Sequence, residues 1–420
     1  MRVYCTEELH PSGGDGTFYL AKAEDALSSL LSRYENSVRL IYLDPPFRTG
    51  ESFKMKIGKG RQAQTVVLYE DKLDETGYLA WLERILRGCH KLLDPRGSIY
   101  LHLDYRMSHK ARMLLDEIFG ESNFMNEIIW AYRSGGRATR CYPRKHDTIL
   151  FYRKSKKVLF NIKAVGTPRG PERRNHMKRF IDEDGRIGFS IRSNGKTYTY
   201  YEDSLIYPSD VWSDIEHLQQ KDRERTGFVT QKPEALLKRI IAASSDPGDL
   251  VLDLFSGSGT TASAATKLNR RFLAVDQSPV ACALLRRRQL GITSEPTLTE
   301  NTAHALLIRY PADRTPCEIQ TERSEKGGRR SVQLLKTTFS GKDAAPIYVA
   351  TGYVDGACFH ALHTNCAPSC RSFCRFPRSI RRCCTSSACT ASRRSSHWNN
   401  KRPLRLQIYQ LYLRKTAYIF

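Results

Sequence analysis

Four consecutive residues in the N-terminal part of the chain, Asp44-Pro45-Pro46-Phe47, carry groups that could act on an aromatic amine. The Asp44 carboxylate and the main-chain carbonyl of Pro45 can accept the two N–H hydrogens of such an amine, which turns its delocalised lone pair toward an electrophile. The prolines remove backbone donors and leave carbonyls free, and Phe47 offers a ring on which a flat base can stack. The alternative interpretation is an ordinary Asp-Pro turn after a buried strand.

A second motif, Phe255-Ser256-Gly257-Ser258-Gly259, has the character of a ligand-binding turn. Gly257 and Gly259 allow a tight turn and a close approach of the backbone to a ligand. Asp276, at the end of the next apolar run, is placed to accept hydrogen bonds from ribose hydroxyls. The third glycine of the dinucleotide fingerprint and the lysine of a phosphate-binding loop are missing, which disfavours nicotinamide cofactors and ATP. A glycine turn alone is weak evidence, because many such turns serve packing only.

Both motifs follow short apolar runs that are typical of buried strands, at 38–43 and 250–254. A further strand is predicted at 98–103 and another at 271–275, and helices are predicted at 78–93, 107–119, 232–244, 260–268 and 279–289. Strands that alternate with helices indicate a parallel sheet whose strands deliver Asp44 and the glycine turn to their carboxyl ends.

The charge of the chain favours a polyanionic partner. The 420 residues carry a net charge of +23, and residues 130–200 contain 18 Lys and Arg against five Asp and Glu, interleaved with aromatic residues. Bases stack on such rings and phosphates pair with the cations, so this segment predicts nucleic-acid binding. A solvated basic surface over an ordinary aromatic core is the alternative. No apolar run approaches the length of about 20 residues that spans a bilayer, and the N-terminus lacks the apolar core of a secretory signal, so a cytoplasmic protein is expected.

The two motifs, together with Gly97-Ser98-Ile99-Tyr100-Leu101-His102-Leu103-Asp104 and Thr230-Gln231-Lys232-Pro233, resemble the DNA N4/N6 amino-methyltransferases of the beta arrangement. This family includes the Mod-type (type III-like) site-specific adenine methyltransferases. The resemblance implies an α/β class I S-adenosylmethionine-dependent methyltransferase fold, which is Rossmann-like, with a mostly parallel seven-stranded sheet, a permuted motif order and a DNA-recognition insertion. In this order the catalytic tetrad precedes the recognition region and the glycine motif follows it.

The resemblance also implies roles for particular residues. The catalytic residues would be Asp44, Pro45, Pro46 and Phe47, which would bind the target amino group. S-adenosyl-L-methionine would be bound by Phe255, Gly257, Gly259, Asp253, Asp276, Thr230 and Lys232. An Asp at the first tetrad position is similar to adenine-N6 enzymes, whereas cytosine-N4 enzymes more often carry Ser there.

The implied function is therefore that of a site-specific DNA-methyltransferase (adenine-specific), acting on duplex DNA in restriction-modification or epigenetic marking. Cytosine-N4 methylation and an inactive DNA-binding remnant are the alternatives. Double-stranded DNA is the implied partner. The family implies a homodimer, and a restriction subunit is a further candidate partner.

The expected domains are a catalytic half at 1–121, a target-recognition insertion at 122–226, a cofactor-binding half at 227–295, a C-terminal extension at 296–356 and a Cys/Arg/Ser-rich tail at 357–420. We interpret the tail as an out-of-frame or degenerate extension. Its spacing Cys366-x3-Cys370-x3-Cys374 fits neither a zinc knuckle nor a common iron-sulfur motif, so no metal site is expected.

Two further polar clusters are weaker candidates. His146 and Asp147 are adjacent on a predicted strand and point to opposite faces, so they cannot form a relay with one another. His102 and Asp104 share one face of a strand near the active-site end of the sheet, which makes Asp104 a secondary functional candidate.

Overall fold

The computed structural model describes residues 16–57, 64–133, 138–170 and 176–289, together with the backbone of strands at 4–8 and beyond residue 305. The helices in this part of the chain are α1 (Ala23–Tyr34), α2 (Glu75–Leu92), α3 (Ser108–Phe119), α4 (Glu234–Ser244), α5 (Thr260–Lys267) and α6 (Pro279–Gln289). The strands up to α6 are β1 (Tyr4–Glu8), β2 (Gly16–Leu20), β3 (Val38–Leu43), β4 (Ser52–Ile57), β5 (Gln64–Glu70), β6 (Leu93–Leu103), β7 (Phe124–Ala131), β8 (His146–Arg153), β9 (Thr167–Pro168), β10 (Lys178–Ile181), β11 (Ile187–Ser193), β12 (Lys196–Tyr201), β13 (Leu205–Ile206), β14 (Val211–Trp212), β15 (Leu250–Asp253) and β16 (Arg271–Asp276).

The strands beyond α6 are β17 (Leu306–Pro311), β18 (Cys317–Lys326), β19 (Arg329–Phe339), β20 (Ala345–Asp355), β21 (Cys358–Asn365), β22 (Phe373–Arg375), β23 (Ile408–Leu413) and β24 (Tyr418–Ile419). The predicted extension at 296–356 and the predicted tail at 357–420 lie outside the residues whose side chains are described, so the interpretation of the tail stays a hypothesis. In the described part of the chain, no helix is both long and apolar enough to cross a membrane.

The central sheet confirms the predicted fold class. Its order is β1-β17-β2-β16-β15-β3-β6-β8-β7-β14. The seven strands from β2 to β7 in this order are parallel except for β8, which runs antiparallel to both of its neighbours. A mostly parallel seven-stranded sheet was the expectation, and β1, β17 and β14 extend it at its two ends.

Helices cover both faces of this sheet because each central strand buries side chains on both sides. In β3, Leu40 and Tyr42 face one core cluster, which contains the apolar residues of α4, α5 and α6. Ile41 and Leu43 face the opposite cluster, which contains those of α1, α2 and α3. The predicted helices and strands therefore form a three-layer α/β structure, with boundaries within a few residues of the expected ones.

The segment at 122–226 contributes strands to the central sheet as well as excursions from it. β7 and β8 pair with each other and β8 pairs with β6, because Trp130 and Phe151 bury large apolar side chains in the core. Between β8 and β14 the described residues leave the central sheet, and β10, β11 and β12 form a separate three-stranded sheet. A recognition role for this segment stays a prediction.

Leu252 on β15 provides a test of the packing. Its side chain is fully buried in the middle of the sheet, so Leu252→Ala should lower the free energy of unfolding by about 2–5 kcal/mol through lost burial and a residual cavity. Urea denaturation measures this loss. Leu73→Ala, the same change at a side chain that is 51% exposed, should cost less than about 0.5 kcal/mol. Equal losses at the two positions would contradict the packing described here.

Candidate active site

Two neighbouring parallel strands bring the two predicted motifs to one edge of the sheet. β3 and β15 are paired with Tyr42 opposite Asp253, so Asp44 and the turn at 254–259 both follow strand ends that lie side by side. The order of the sheet also reverses here, since the chain continues from β15 to β16 on one side and from β3 to β6 on the other. Ligands of open α/β sheets bind at such a switch point.

Asp44 lies half-buried and is bound on one oxygen only. The Nζ of Lys232 is 2.5 Å from Asp44 Oδ2, and the two side chains are 16% and 12% exposed, respectively. Asp44 Oδ1 is buried and has no hydrogen-bond partner among the described residues. A buried acceptor without a partner is costly, so this oxygen is ready to accept a hydrogen bond from a ligand.

The carbonyls of the two prolines differ in their availability. The hydroxyl of Tyr78 donates a hydrogen bond of 2.6 Å to the Pro46 carbonyl. The expectation that both carbonyls are free is therefore wrong for Pro46, because the first turns of α2 approach the loop and Tyr78 occupies that acceptor. Pro45 is left as the candidate carbonyl acceptor for an amine.

Phe47 is held between a histidine and the lysine that binds Asp44. Its ring stacks on the His102 ring, with 6.0 Å between centroids and an interplanar angle of 25°. Lys232 Nζ lies 5.2 Å from the Phe47 ring centroid, within the range of a cation–π contact. Lys232, predicted from the resemblance to contact the cofactor, thus contacts two of the four tetrad residues.

The loop that follows Phe47 is fixed by a buried carboxylate. Asp71 is 2% exposed and accepts hydrogen bonds from the backbone N–H of Arg48 at 2.9 Å and of Thr49 at 2.7 Å. The hydroxyl of Thr49 donates to the same side chain at 3.0 Å. Asp71 therefore holds the tetrad loop against the end of β5.

The glycine turn is held by the carboxylates of Asp276 and Asp253. Gly257 and Gly259 have φ angles of +49° and +77°, in the left-handed region. The backbone N–H of Gly257 donates a 2.8 Å hydrogen bond to Asp276 Oδ2, and that of Ser278 donates one of 2.8 Å to Asp276 Oδ1. Burial raises the pKa of Asp276 to about 6. Each oxygen keeps acceptor capacity, so the predicted contact with ribose hydroxyls remains available to Asp276.

Asp253 is directed into the protein by its hydrogen bonds. Its Oδ2 accepts from the Thr261 hydroxyl at 2.5 Å and its Oδ1 from the Phe255 N–H at 2.9 Å. Burial raises the pKa of Asp253 to about 7, against the lowering effect of these two hydrogen bonds, and the charges of Asp44 and Asp276 raise it further. The structure thus places this predicted cofactor residue as a support of the turn.

A cleft of about 550 Å³ contains both motifs, within the size range of small-molecule sites. Its wall includes Asp44, Pro45, Pro46, Phe47, Tyr69, Tyr78, Trp81, Thr230, Lys232, Asp253, Phe255, Ser256, Gly257 and Asp276. Gly259 does not line it; this residue is the N-cap of α5. Ser256 Oγ is buried and has no partner in the ranges that the structure describes, so a polar ligand beside the glycine turn would satisfy it, as it would Asp44 Oδ1. The donor and acceptor set fits S-adenosyl-L-methionine.

Several residues of this site were not found from the sequence. Tyr69 and Trp81 line the cleft, and Trp81 contacts the Phe255 ring at 5.5 Å between centroids. Tyr78 and Asp71 hold the tetrad loop. All four act across long sequence separations, and no local motif marks them. Among the described residues, no three His, Cys, Asp or Glu side chains are grouped as metal ligands would be.

Comparison with known proteins assigns the family. Residues 38–287 match the sequence model of the N6/N4 methyltransferase family, and the description of that family is DNA methylase. The match spans more than half of the 420 residues, so the chain belongs to this family. S-adenosyl-L-methionine, the cofactor predicted for the cleft, is the methyl donor that this family uses.

Individual relatives show the extent of the similarity. The chain is 30% identical over 296 residues to the type II methyltransferase M.EcaI of Enterobacter cloacae, an alignment that covers 60% of this chain and 64% of that protein. It thus spans slightly less than two thirds of that relative. It is 31% identical over 257 residues to the DNA adenine methyltransferase YhdJ of Escherichia coli (strain K12), covering 60% of this chain and 76% of that one.

Among solved structures, the PvuII DNA methyltransferase (cytosine-N4-specific) has a TM-score of 0.43 and 16% identity to this chain. The superposition covers 66% of this chain and 88% of that structure.

The buried Asp253 should make the stability of the protein depend on pH. Its pKa in the folded protein is raised to about 7, whereas the pKa of Asp in an unfolded chain is about 3.9. Between these values the folded protein keeps a proton that the unfolded chain has released, so stability should fall as the pH rises through this interval.

Asp253→Asn keeps the shape of the side chain and a partner for Thr261, and it removes the titration. The free energy of unfolding is measured by urea denaturation from pH 5 to 8. It should decline less steeply with pH in this variant, and the two slopes should differ by up to about 1.4 kcal/mol per pH unit. Asp246→Asn, at an exposed carboxylate, serves as the control and should keep the wild-type slope. A wild-type slope in Asp253→Asn would show that Asp253 does not titrate in this range.

Proposed function

We propose that this protein transfers a methyl group from S-adenosyl-L-methionine to the N6 amino group of adenine in duplex DNA, within a short target sequence. The observation that carries the proposal is the carboxylate of Asp44, which has one oxygen held by Lys232 and the other buried with no partner in the described part of the chain. It lies in the same cleft as the glycine turn. Methylation of an amine needs a group that accepts hydrogen bonds from the amine and a turn that binds the methyl donor, and this cleft contains a candidate for each.

The proposed chemistry follows from the groups around Asp44. An exocyclic amine is a poor nucleophile because its lone pair is delocalised into the ring. Asp44 Oδ1 and the Pro45 carbonyl would accept its two N–H hydrogens and so orient the lone pair. Lys232 would hold the carboxylate in place through Oδ2, and Phe47 would stack against the base once it has left the duplex. The bound cofactor supplies an electrophilic methyl group.

The cofactor would occupy the part of the cleft beside the glycine turn. Asp276 would bind the ribose hydroxyls, and the Ser256 hydroxyl, which has no hydrogen-bond partner among the described residues, would face the nucleoside. The rings of Trp81 and Phe255, which contact each other, would provide the apolar side. Thr230 lines the same wall. These assignments extend the family resemblance to the residues that the structure brings together.

The choice of adenine rests on residue type. Asp44 occupies the tetrad position at which cytosine-N4 enzymes more often carry Ser, and one relative named above is a DNA adenine methyltransferase. Cytosine N4 is the second candidate, since its exocyclic amine has the same two hydrogens. Nucleoside analysis of the product distinguishes the two.

A basic rim lies at the same edge of the sheet as Asp44. It consists of residues that follow β6 or precede β8: Tyr105, Arg140, Tyr142 and Arg144, which are exposed, and Arg106, which is partly buried and ion-paired with Asp104. β8 runs antiparallel to β6, and β6 is the parallel neighbour of β3, so these loops meet beside the end of β3. The Arg144 guanidinium lies 4.1 Å from the centroid of the Tyr105 ring. We propose that this rim contacts the DNA phosphates near the target base.

A biological setting completes the proposal. Site-specific methylation would serve restriction-modification or epigenetic marking in the cytoplasm, with the protein acting either as a homodimer or beside a restriction subunit.

The reaction is tested by incubating the protein with labelled S-adenosyl-L-methionine and unmethylated genomic DNA, followed by nucleoside analysis. Wild type should produce N6-methyladenine. Asp44→Ala should lower the rate by about 100-fold or more, because it removes the acceptor that orients the amine. Asp246→Ala, at the opposite edge of the sheet, should keep the wild-type rate. N4-methylcytosine would move the proposal to cytosine, and folded protein that binds DNA without transfer would favour an inactive remnant.

The basic rim predicts a change in the salt dependence of DNA binding. Arg144 is exposed and takes part in no ion pair among the described residues, so its charge is available to a phosphate. Arg144→Ala should reduce the slope of log K against log salt concentration by about 1, measured by fluorescence anisotropy with a labelled duplex. Arg271→Ala removes an exposed charge at the start of β16, on the opposite edge, and should leave the slope unchanged. An unchanged slope in Arg144→Ala would remove the rim from the interface.

A further inference from the structure

A buried hydrogen-bonded chain lies directly behind the tetrad loop. His102 is fully buried on β6. Its Nδ1 lies 2.9 Å from the Tyr42 hydroxyl and its Nε2 lies 3.1 Å from Asp147 Oδ2. The Tyr132 hydroxyl donates a 3.1 Å hydrogen bond to Asp147 Oδ1. Four polar side chains from four strands or their ends are thus joined, and Asp147 pairs with His102 on the neighbouring strand, not with its sequence neighbour His146.

This chain fixes the orientation of the His102 ring. Because both nitrogens have partners on opposite sides, the ring cannot turn without losing two buried hydrogen bonds, which is costly. The ring also packs edge-on against Trp130, with centroids 5.6 Å apart at an angle of 89°. A histidine held at both nitrogens and along its edge presents a fixed face.

That fixed face is the one on which Phe47 stacks. Phe47 belongs to a loop without regular secondary structure, so no backbone hydrogen-bond ladder determines where its ring lies. The ring is stacked on His102 at 6.0 Å, and on the cleft side it is approached by Lys232. Tyr78 and Asp71 hold the backbone on either side of Phe47, and the contact with His102 sets the orientation of the Phe47 ring. The surface offered to a flipped base therefore depends on His102 as well as on the loop.

We propose that His102 is a positioning residue for methyl transfer, which sets the place of the Phe47 ring and, through Lys232 beside that ring, the alignment of Asp44. This inference rests on the proposed function, since it assigns a role within that reaction. His102 is not among the residues that line the cleft, so it would act without touching the substrate. It should affect the alignment of the target base and leave cofactor binding unchanged.

Two substitutions separate the ring of His102 from its hydrogen bonds. His102→Asn can keep the contact to Tyr42, and His102→Gln can keep the contact to Asp147, while both remove the ring that supports Phe47. The matched control is His90→Asn on α2, where a histidine ring packs edge-on against Phe119 at 4.8 Å, remote from the cleft. The measurements are kcat, KM for S-adenosyl-L-methionine, the circular dichroism spectrum and a crystal structure of each variant.

We expect kcat to fall at least 10-fold in both His102 variants, with KM for the cofactor within twofold of wild type and the Phe47 ring displaced in the crystal structures. His90→Asn should change neither kcat nor KM. Folded His102 variants with wild-type kcat and an unmoved Phe47 ring would overturn the proposal. So would an equal loss of kcat in His90→Asn, because that result would indicate a general effect of stability.

A milder variant covers the case in which the His102 substitutions do not fold. Tyr132→Phe removes one hydrogen bond to Asp147 and retains every ring, so it should lower kcat about threefold without changing KM for the cofactor. An unchanged kcat would overturn the proposal.

If wild-type protein transfers no methyl group to any DNA, the proposed function fails. The position of the Phe47 ring in the crystal structures of the His102 variants then decides this inference independently. If neither His102 variant folds, the crystal structure of Tyr132→Phe serves for the same comparison.

Discussion

The parallel pairing of β3 with β15 is the constraint on which the rest of the site depends. These strands are distant in the chain, yet they place Asp44 and the glycine turn at adjacent strand ends. Parallel strands need long crossover connections. The connection from β3 to β15 includes β6, β7, β8 and the excursions from the sheet. The cleft lies at this switch point, and the strands that form it are buried on both faces.

Negative charge is concentrated at this junction and is balanced in different ways. Asp44 has the Lys232 ammonium, whereas Asp276 accepts two backbone N–H groups. Asp253 accepts hydrogen bonds from a hydroxyl and one N–H, and burial, together with the charges of Asp44 and Asp276, raises its pKa to about 7. Like charges at short range disfavour joint ionisation. Among the described residues the arrangement leaves Asp44 Oδ1 open as an acceptor for an amine donor.

The family assignment and the site depend on different kinds of information. The predicted fold, tetrad and glycine turn come from local motifs, and the sheet order and family match confirm the class. The placement of side chains was less predictable. Lys232 and Asp253 line the cleft, and their contact with the cofactor stays a prediction. Lys232 also binds Asp44, and the Pro46 carbonyl is taken by Tyr78. Both of these contacts join elements far apart in sequence, which no local pattern encodes.

The amino-acid sequence by itself determined the class of chemistry, because Asp44-Pro45-Pro46-Phe47 and the glycine turn are contiguous and their chemical groups are evident from residue type. It also determined the alternation of strands and helices through hydrophobic periodicity. Only the tertiary structure decided which oxygen of Asp44 is open, what supports Phe47 and how His102 joins Asp147. Those properties arise from burial and from pairing across strands, since a side chain's partners depend on which elements the fold brings within hydrogen-bond distance.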